Sequence, residues 1–270
     1  MTLTHASWSQ KCAAQADLVT VTAEMLRSPQ AIARQDIPPW FTAPAESFLP
    51  LIDAAGISPQ PSTELDDGLR KHLASLKSLF LELHRAAALL EHEEWSDEYW
   101  RLFEGAQCCP LNQASYIRRD KGAILGDLAG FYNAFGWQHN PANGERPDHL
   151  LSQLEFTGML LAMAATATSE EQREIVLAAL NQFHRVHMND WLPSVCNQMV
   201  TATHLPYFAL VSHWLWSLWE TLAKVNLWPS DQPSPSILSP RLDPEDPYEC
   251  GAPDVVTLQA TAAPAIYRES

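Results

Sequence analysis

The sequence predicts an all-α fold, and three observations carry that expectation. Proline gathers at the ends: of twenty, seven precede residue 62, eight follow residue 228 and five lie between, which leaves the middle open to long helices. Leu69, Leu73, Leu76, Phe80, Leu83, Ala87 and Leu90 recur at alternating steps of four and three, the spacing of one helix face. No Asn-Gly pair joins two alternating apolar runs, the usual hairpin signal. Asn143–Gly144 instead precedes a Pro-Asp-His triplet.

The bulk numbers agree with a helical protein of moderate size. The chain has 270 residues, of which 46% are hydrophobic, enough for a sizeable core. Its formal charge of −15 opposes a nucleic-acid or anionic-membrane partner and favours a basic or cationic-ended one. The N-terminus shows no basic region followed by an apolar core, so no secretory signal is expected. Residues 191 to 219 lack Asp, Glu, Lys and Arg. The run holds Asn197, Gln198, His204, His213, Pro193 and Pro206, so a buried helix pair is expected, with no stable membrane insertion. The five cysteines, Cys12, Cys108, Cys109, Cys196 and Cys250, are odd in number and contain no Cys-x-x-Cys. They fit a reducing compartment, with Cys108 and Cys109 as small loop residues.

Helices are expected over 5–27, 69–90, 113–136, 148–167, 170–202 with a break near Pro193, and 206–228. In the last, His213, Ser217, Glu220 and Lys224 make a single polar stripe, so most of its girth is buried. Gly122, Gly126 and Gly130 repeat every four residues and would let a neighbouring helix approach closely; no strand precedes them, which excludes a phosphate loop. Residues 91–105, Glu-His-Glu-Glu-Trp-Ser-Asp-Glu-Tyr-Trp-Arg-Leu-Phe-Glu-Gly, mix six acids with Trp95, Tyr99, Trp100, Leu102 and Phe103. They read either as a solvated face or as an acidic rim that receives a basic, apolar peptide. Residues 229–270 are rich in Pro, Ser and Asp and form a separate arm or tail beyond a 1–228 helical domain. Ile237, Leu238, Val255, Val256 and Leu258 are its few apolar anchors. They would let it lie along a groove, even as a stand-in for a bound peptide.

Catalytic chemistry finds little support. There is no Gly-x-Ser-x-Gly, and no Glu has a His three residues on, as a di-iron bundle requires. His184 and His187 could share a ligand but lack a carboxylate at matching spacing. No catalytic or metal-binding residue is assigned. In Glu-Arg-Pro-Asp-His-Leu-Leu-Ser-Gln-Leu-Glu-Phe, residues 145–156, Asp148 reads either as a helix N-cap or as part of a site with His149. Glu155 neighbours Leu151 and Met159 on a helix, which costs stability unless it is paired or at a cleft edge.

These segments, in this order, resemble the TorD/DmsD/NarJ family of chaperones for molybdenum oxidoreductases. The family's aromatic-x-x-Leu-Phe-x-Gly corresponds to Tyr99 or Trp100, Leu102, Phe103 and Gly105; Pro110 and Tyr116 follow. Tyr132 and Gly136 match a helix end. Pro147, Asp148, His149 and Leu150 match a hinge signature continued by Gln153, Leu154, Glu155 and Phe156. His187, Trp191 and Pro193 match a last motif. The resemblance covers roughly residues 6–228. Gln153 replaces a Glu, Ala114 stands where Ser is common, and the tail lies outside the pattern.

The resemblance implies an all-helical bundle whose N- and C-terminal parts join at a hinge near 140–148. It implies a cytoplasmic, non-enzymatic chaperone, either a monomer or a segment-exchanged homodimer. Its partner would be the catalytic subunit of a DMSO-reductase-superfamily enzyme, through that subunit's twin-arginine signal peptide. No cofactor of its own is implied, beyond transient contact with the client's molybdopterin guanine dinucleotide. The client-binding residues would be Asp148, His149, Glu155, Pro147, Tyr116, Leu102, Phe103, Trp100 and Pro110. Asp148 and Glu155 would face the cationic end of the peptide, and Tyr116, Phe103 and Leu102 its apolar part. Two alternatives use the same Asp148/His149/Glu155 cleft: a helical metal-dependent enzyme and a general helical interaction module.

Overall fold

Nine α-helices form among the described residues of the computed structural model, which are 5–29, 42–56, 63–105, 107–138, 146–228 and 237–241. They are α1 (His5–Met25), α2 (Leu49–Ala55), α3 (Thr63–Ala88), α4 (His92–Tyr99), α5 (Lys121–Ala134), α6 (Leu150–Thr166), α7 (Glu170–Phe183), α8 (Leu192–Ala202) and α9 (Pro206–Asn226). No strand occurs among the described residues; the one extended pairing is an isolated bridge between Asn112 and His149.

Local chemistry explains the helix ends. Asp120 caps α5, its Oδ1 accepting from the Ala123 N–H at 2.7 Å. Ser169 caps α7 by accepting from Gln172 N–H at 3.2 Å, and Glu170 and Glu171 complement the positive end of that helix. Proline occupies the first turn of α2, α8 and α9, where its missing N–H has no intrahelical partner to lose. At the end of α9, Leu227 takes a left-handed conformation, φ 56°. Both α4 and α7 run on into a single π-helical turn, Trp100–Glu104 and His184–Met188.

The centre of the fold is α6, buried on nearly every side, with α1 along one flank and α7 along another. A Cβ on Gly158 of α6 would meet Thr20 Oγ1 of α1 at 3.3 Å, so this glycine sets how close the two helices lie. A second layer packs α9 on α3 and α8. The α3 stripe behaves as its spacing predicts: Leu76, Phe80, Leu83 and Ala87 are buried, and the Phe80 ring meets Trp214 of α9 at 5.1 Å. Along α9, His213 and Lys224 are exposed while Ser217 and Glu220 are half-buried, again the expected polar stripe. Lys11 of α1 is fully buried. Its Nζ donates to the Val225 carbonyl at 3.2 Å and lies over the Trp8 ring, and burial pushes its pKa down to about 8.

Two expectations need correction. The helix expected over 113–136 begins only at Lys121, where Asp120 caps it; 113–115 forms a separate 3-10 turn, tied to the Asp148 carboxylate through Ala114 N–H. Gly122, Gly126 and Gly130 all face solvent and bring no helix close. The buried positions of α5 are Ile124, Leu128 and Tyr132, two residues out of phase and so on the opposite side. The break expected near Pro193 is present at Asn189–Trp191, with Pro193 inside the first turn of α8. No described helix is long and apolar enough to cross a membrane. Residues 140–145 of the expected hinge, and 229–236 and 242–270 of the expected tail, lie outside the described residues.

Candidate functional site

The Pro-Asp-His triplet forms a turn that is zipped to a segment 36 residues away. Leu150 N–H donates to Leu111 C=O at 2.7 Å, and Gln113 N–H donates to Asp148 C=O at 2.9 Å. The Asp148 side chain is fully buried within this pairing. Arg146 grips its carboxylate in bidentate fashion, Nε to Oδ1 at 2.9 Å and Nη2 to Oδ2 at 2.7 Å. Ala114 N–H adds a bond to Oδ2 at 3.1 Å and Asn112 Nδ2 one to Oδ1 at 3.3 Å. The N-cap of α6 is therefore not Asp148 but His149, whose Nδ1 accepts from Leu151 N–H at 3.3 Å. Asp148 instead holds the 112–114 turn.

Glu155 follows two turns along α6, roughly 10 Å away by helix rise. It is paired with Arg27 at 2.8 Å, both partners reaching the surface. This is the pairing that its apolar neighbours require. Tyr132 lies near both carboxylates. Its hydroxyl donates to Pro147 C=O at 2.7 Å, and burial, reinforced by the charges of Asp148 and Glu155, pushes its pKa well up. Both carboxylates thus act electrostatically on one buried phenol, and each already holds a guanidinium.

The expected apolar lining sits deeper than a free surface. Tyr116 is fully buried, its ring 5.7 Å from Trp191, and Leu102, Phe103 and Pro110 are buried as well. Pro147, His149 and Glu155 are half-buried, and Trp100 is 57% exposed, the one aromatic of the 91–105 patch to reach solvent so fully. Its indole lies against Gly105, where a Cβ would collide with the ring. That contact, with Gly105 N–H closing the π-turn on Trp100 C=O at 2.7 Å, accounts for the glycine of the aromatic-x-x-Leu-Phe-x-Gly pattern, while Tyr99, at its aromatic position, is buried with its ring 4.9 Å from Phe103.

The acidic rim is narrower than the sequence suggests. Glu93, Glu94 and Asp97 are exposed, but Glu98 is buried. It takes Arg101 Nε at 2.7 Å and Nη2 at 2.8 Å, and it accepts from Thr203 Oγ1 at 3.0 Å and from His204 N–H, ahead of α9. Arg101 Nη2 in turn donates to Ala202 C=O at 2.6 Å, so the pair locks α4 to the α8–α9 turn. Burial raises the Glu98 pKa, but the bonds from Arg101, His204 and Thr203 outweigh it and leave the net shift downward.

Among the described residues, no activated nucleophile or metal cluster emerges. Burial pushes the Cys109 and Cys196 thiols up to about 12 and Cys12 up to about 11, which keeps them protonated. His184 accepts from Trp219 Nε1 at 3.1 Å and stacks on Trp228, whereas His187 lies between Phe131 and Phe183, so the pair face different neighbours. Among the described residues, no group of three or more His, Cys, Asp and Glu converges as a metal site would need.

The sequence profile of the family described as nitrate reductase delta subunit matches residues 62–197, which include the 91–105 patch, Tyr116, the Pro147–His149 turn and Pro193. The chain belongs to this family. The family is the NarJ/TorD type of molybdoenzyme maturation chaperone that the motifs resemble. Over 109 residues the chain is 32% identical to the selenate reductase assembly chaperone protein of Thauera selenatis, covering 38% of this chain and 56% of that protein. The match therefore spans little more than half of that relative. Family membership adds no ligand geometry of its own. Sequence reasoning missed Arg146, Asn112 and Arg27. Only Arg146 left a local signal, two residues before Asp148.

Proposed function

We propose that the chain is a non-enzymatic, cytoplasmic assembly chaperone for a molybdenum oxidoreductase of the DMSO-reductase superfamily, and that it holds the twin-arginine signal peptide of that enzyme's catalytic subunit. The observation that carries this reading is the pair of carboxylates around Tyr132. Asp148 and Glu155 each bind a resident guanidinium, from Arg146 and Arg27. A peptide with two adjacent arginines offers the same groups in the same chemistry. Glu155 and Arg27 are surface partners, and an exposed pair is worth little in water, so Glu155 can exchange Arg27 for a client arginine at small cost. Asp148 shapes the turn from beneath, His149 and Pro147 form its surface, and Trp100 supplies an exposed apolar face. Leu102, Phe103, Pro110 and Tyr116 are buried, Phe103 against Tyr99 and Phe208 and Tyr116 against Trp191. The net charge of −15 speeds encounter with a basic peptide.

The experiment is affinity purification of the full chain from its native host, with partners identified by mass spectrometry. The reading predicts a catalytic subunit of a molybdenum oxidoreductase that still carries its twin-arginine leader. Recovery of such subunits only after leader removal would contradict it.

A further inference from the structure

Residues 237–241, Ile-Leu-Ser-Pro-Arg, lie against the helical body and are matched to it by main-chain bonds. Leu238 N–H donates to Ser194 Oγ at 2.9 Å. The Arg118 guanidinium donates to Ser239 C=O at 3.1 Å. Arg241 N–H donates to Ser115 C=O at 2.9 Å. Ser194 is itself buried in the first turn of α8, and Ser115 belongs to the turn that Asp148 fixes. Pro240 biases Ser239 toward extended backbone. An extended peptide is recognised in this way elsewhere: main-chain bonds set its position and a pocket takes one side chain.

The pocket is present. Between α8 and α9, Pro193, Cys196, Val200, His213 and Trp216 line a groove with a cavity of about 280 Å³, and Ile237 lies at it. Ile237 keeps 55% of its surface exposed, so the segment is seated without filling the groove. A resident that leaves apolar space open is held more weakly than one that fills it.

We propose that this groove, with Ser115, Arg118 and Ser194, is a binding track for an extended apolar peptide, and that Ile237–Arg241 is its resident, displaceable plug. The plug is tethered to α9 through residues 229–236, so a competitor faces it at an effective concentration on the order of mM. A free chain therefore keeps the track covered, and only a matching peptide uncovers it. Only the identity of the natural competitor rests on the chaperone reading; the occupancy rests on the contacts themselves.

The test uses the full chain and a fluorescent synthetic peptide with the sequence of residues 235–243, Pro-Ser-Ile-Leu-Ser-Pro-Arg-Leu-Asp. Leu238→Pro removes the N–H that Ser194 accepts, and Ile237→Asp makes the segment unfit for the groove; neither alters the track. Both variant chains are expected to bind the peptide about tenfold more tightly than the wild type, because the track is vacated. A peptide carrying Leu238→Pro is expected to bind at least tenfold more weakly to the same chains. Equal affinity of wild-type and variant chains, or equal binding of the two peptides, would overturn the proposal. A synthetic peptide with two arginines followed by a leucine run is then added to the complex. Displacement of the bound tail peptide places client and plug on one track. If the tail peptide behaves as expected but is not displaced, the plug stands and the client-peptide reading fails at this surface.

Discussion

Arg146 holds Asp148 through two charge-assisted hydrogen bonds, at 2.9 and 2.7 Å, although the carboxylate is fully buried and the arginine only partly so. The pair stitches the turn before α6 to the 112–114 turn, and every oxygen of the carboxylate is used. A buried charge with this many partners is strongly destabilised when a partner is removed.

Asp148→Ala is therefore expected to destabilise the chain by about 3 kcal/mol, leaving Arg146, Asn112 and the Ala114 N–H unmatched. Asp148→Asn keeps an acceptor but not the charge and is expected to cost roughly half as much. Urea unfolding of both variants checks this. If Asp148 acted only as an exposed cap, Asn would unfold with the wild type, since Asn caps as well as Asp.

The acidic patch splits into two roles. Glu98→Ala is expected to lower stability by about 3 kcal/mol, because it strips Arg101 and the start of α9 of their acceptor. The triple variant Glu93→Gln, Glu94→Gln, Asp97→Gln is expected to melt like the wild type, since those side chains are exposed. It is also expected to associate more slowly with a twin-arginine peptide at low salt and to show a shallower salt dependence. Stopped-flow association at two ionic strengths separates these outcomes; unchanged rates would make the patch an ordinary solvated face.

His187 gives a pH dependence. It is fully buried between Phe131 and Phe183, with Nδ1 3.3 Å from Gln113 Oε1 and Nε2 without a hydrogen-bond partner among the described residues. Burial pushes its pKa down to about 4, with the charges of Asp127 raising it and Arg119 lowering it by lesser amounts. The unfolded chain takes up the proton near pH 6.5 and the folded chain only near 4. Stability is thus complete above about pH 6.5 and falls as pH drops toward 4, by about 3 kcal/mol at most. His187→Gln is expected to remove most of this slope. Denaturation midpoints at pH 7 and pH 5 for both proteins measure it; parallel losses would assign the slope to other groups.

What the sequence made legible is what repeats along it. The stripe from Leu69 to Leu90 and the polar line on α9 encode which face is buried, because helical period alone decides that. Asp148 was harder. Its partners Asn112 and Ala114 lie in a distant segment, and no local spacing announces a pairing across 36 residues. The helix expected from 113 starts instead at the Asp120 cap, and the 3-10 turn at 113–115 is held by Asp148 from across the fold. Glu155 was recognisable as needing a partner, but Arg27 is 128 residues away and only the fold brings it there. The 91–105 patch looked uniformly surface-like because acids and aromatics alternate. Packing drew Trp95, Tyr99, Phe103 and Glu98 inward and left Trp100 out. The tail's few apolar residues did signal a groove contact, and Ile237 makes one.

The central claim is that Glu155 on α6, beside the surface formed by Pro147 and His149, receives a client arginine, and isothermal titration tests it most directly. A twin-arginine peptide is titrated into wild type, Glu155→Gln, His149→Ala and Arg27→Ala, with a twin-glutamine peptide as control. The account predicts about tenfold weaker binding for Glu155→Gln, the scale of one charge-assisted bond. His149→Ala is expected to bind more weakly as well. Removing the resident arginine in Arg27→Ala is expected to tighten binding, because Glu155 then waits unpaired. Binding of the twin-glutamine peptide as strong as that of the twin-arginine peptide, or unchanged affinity across all three variants, would contradict it.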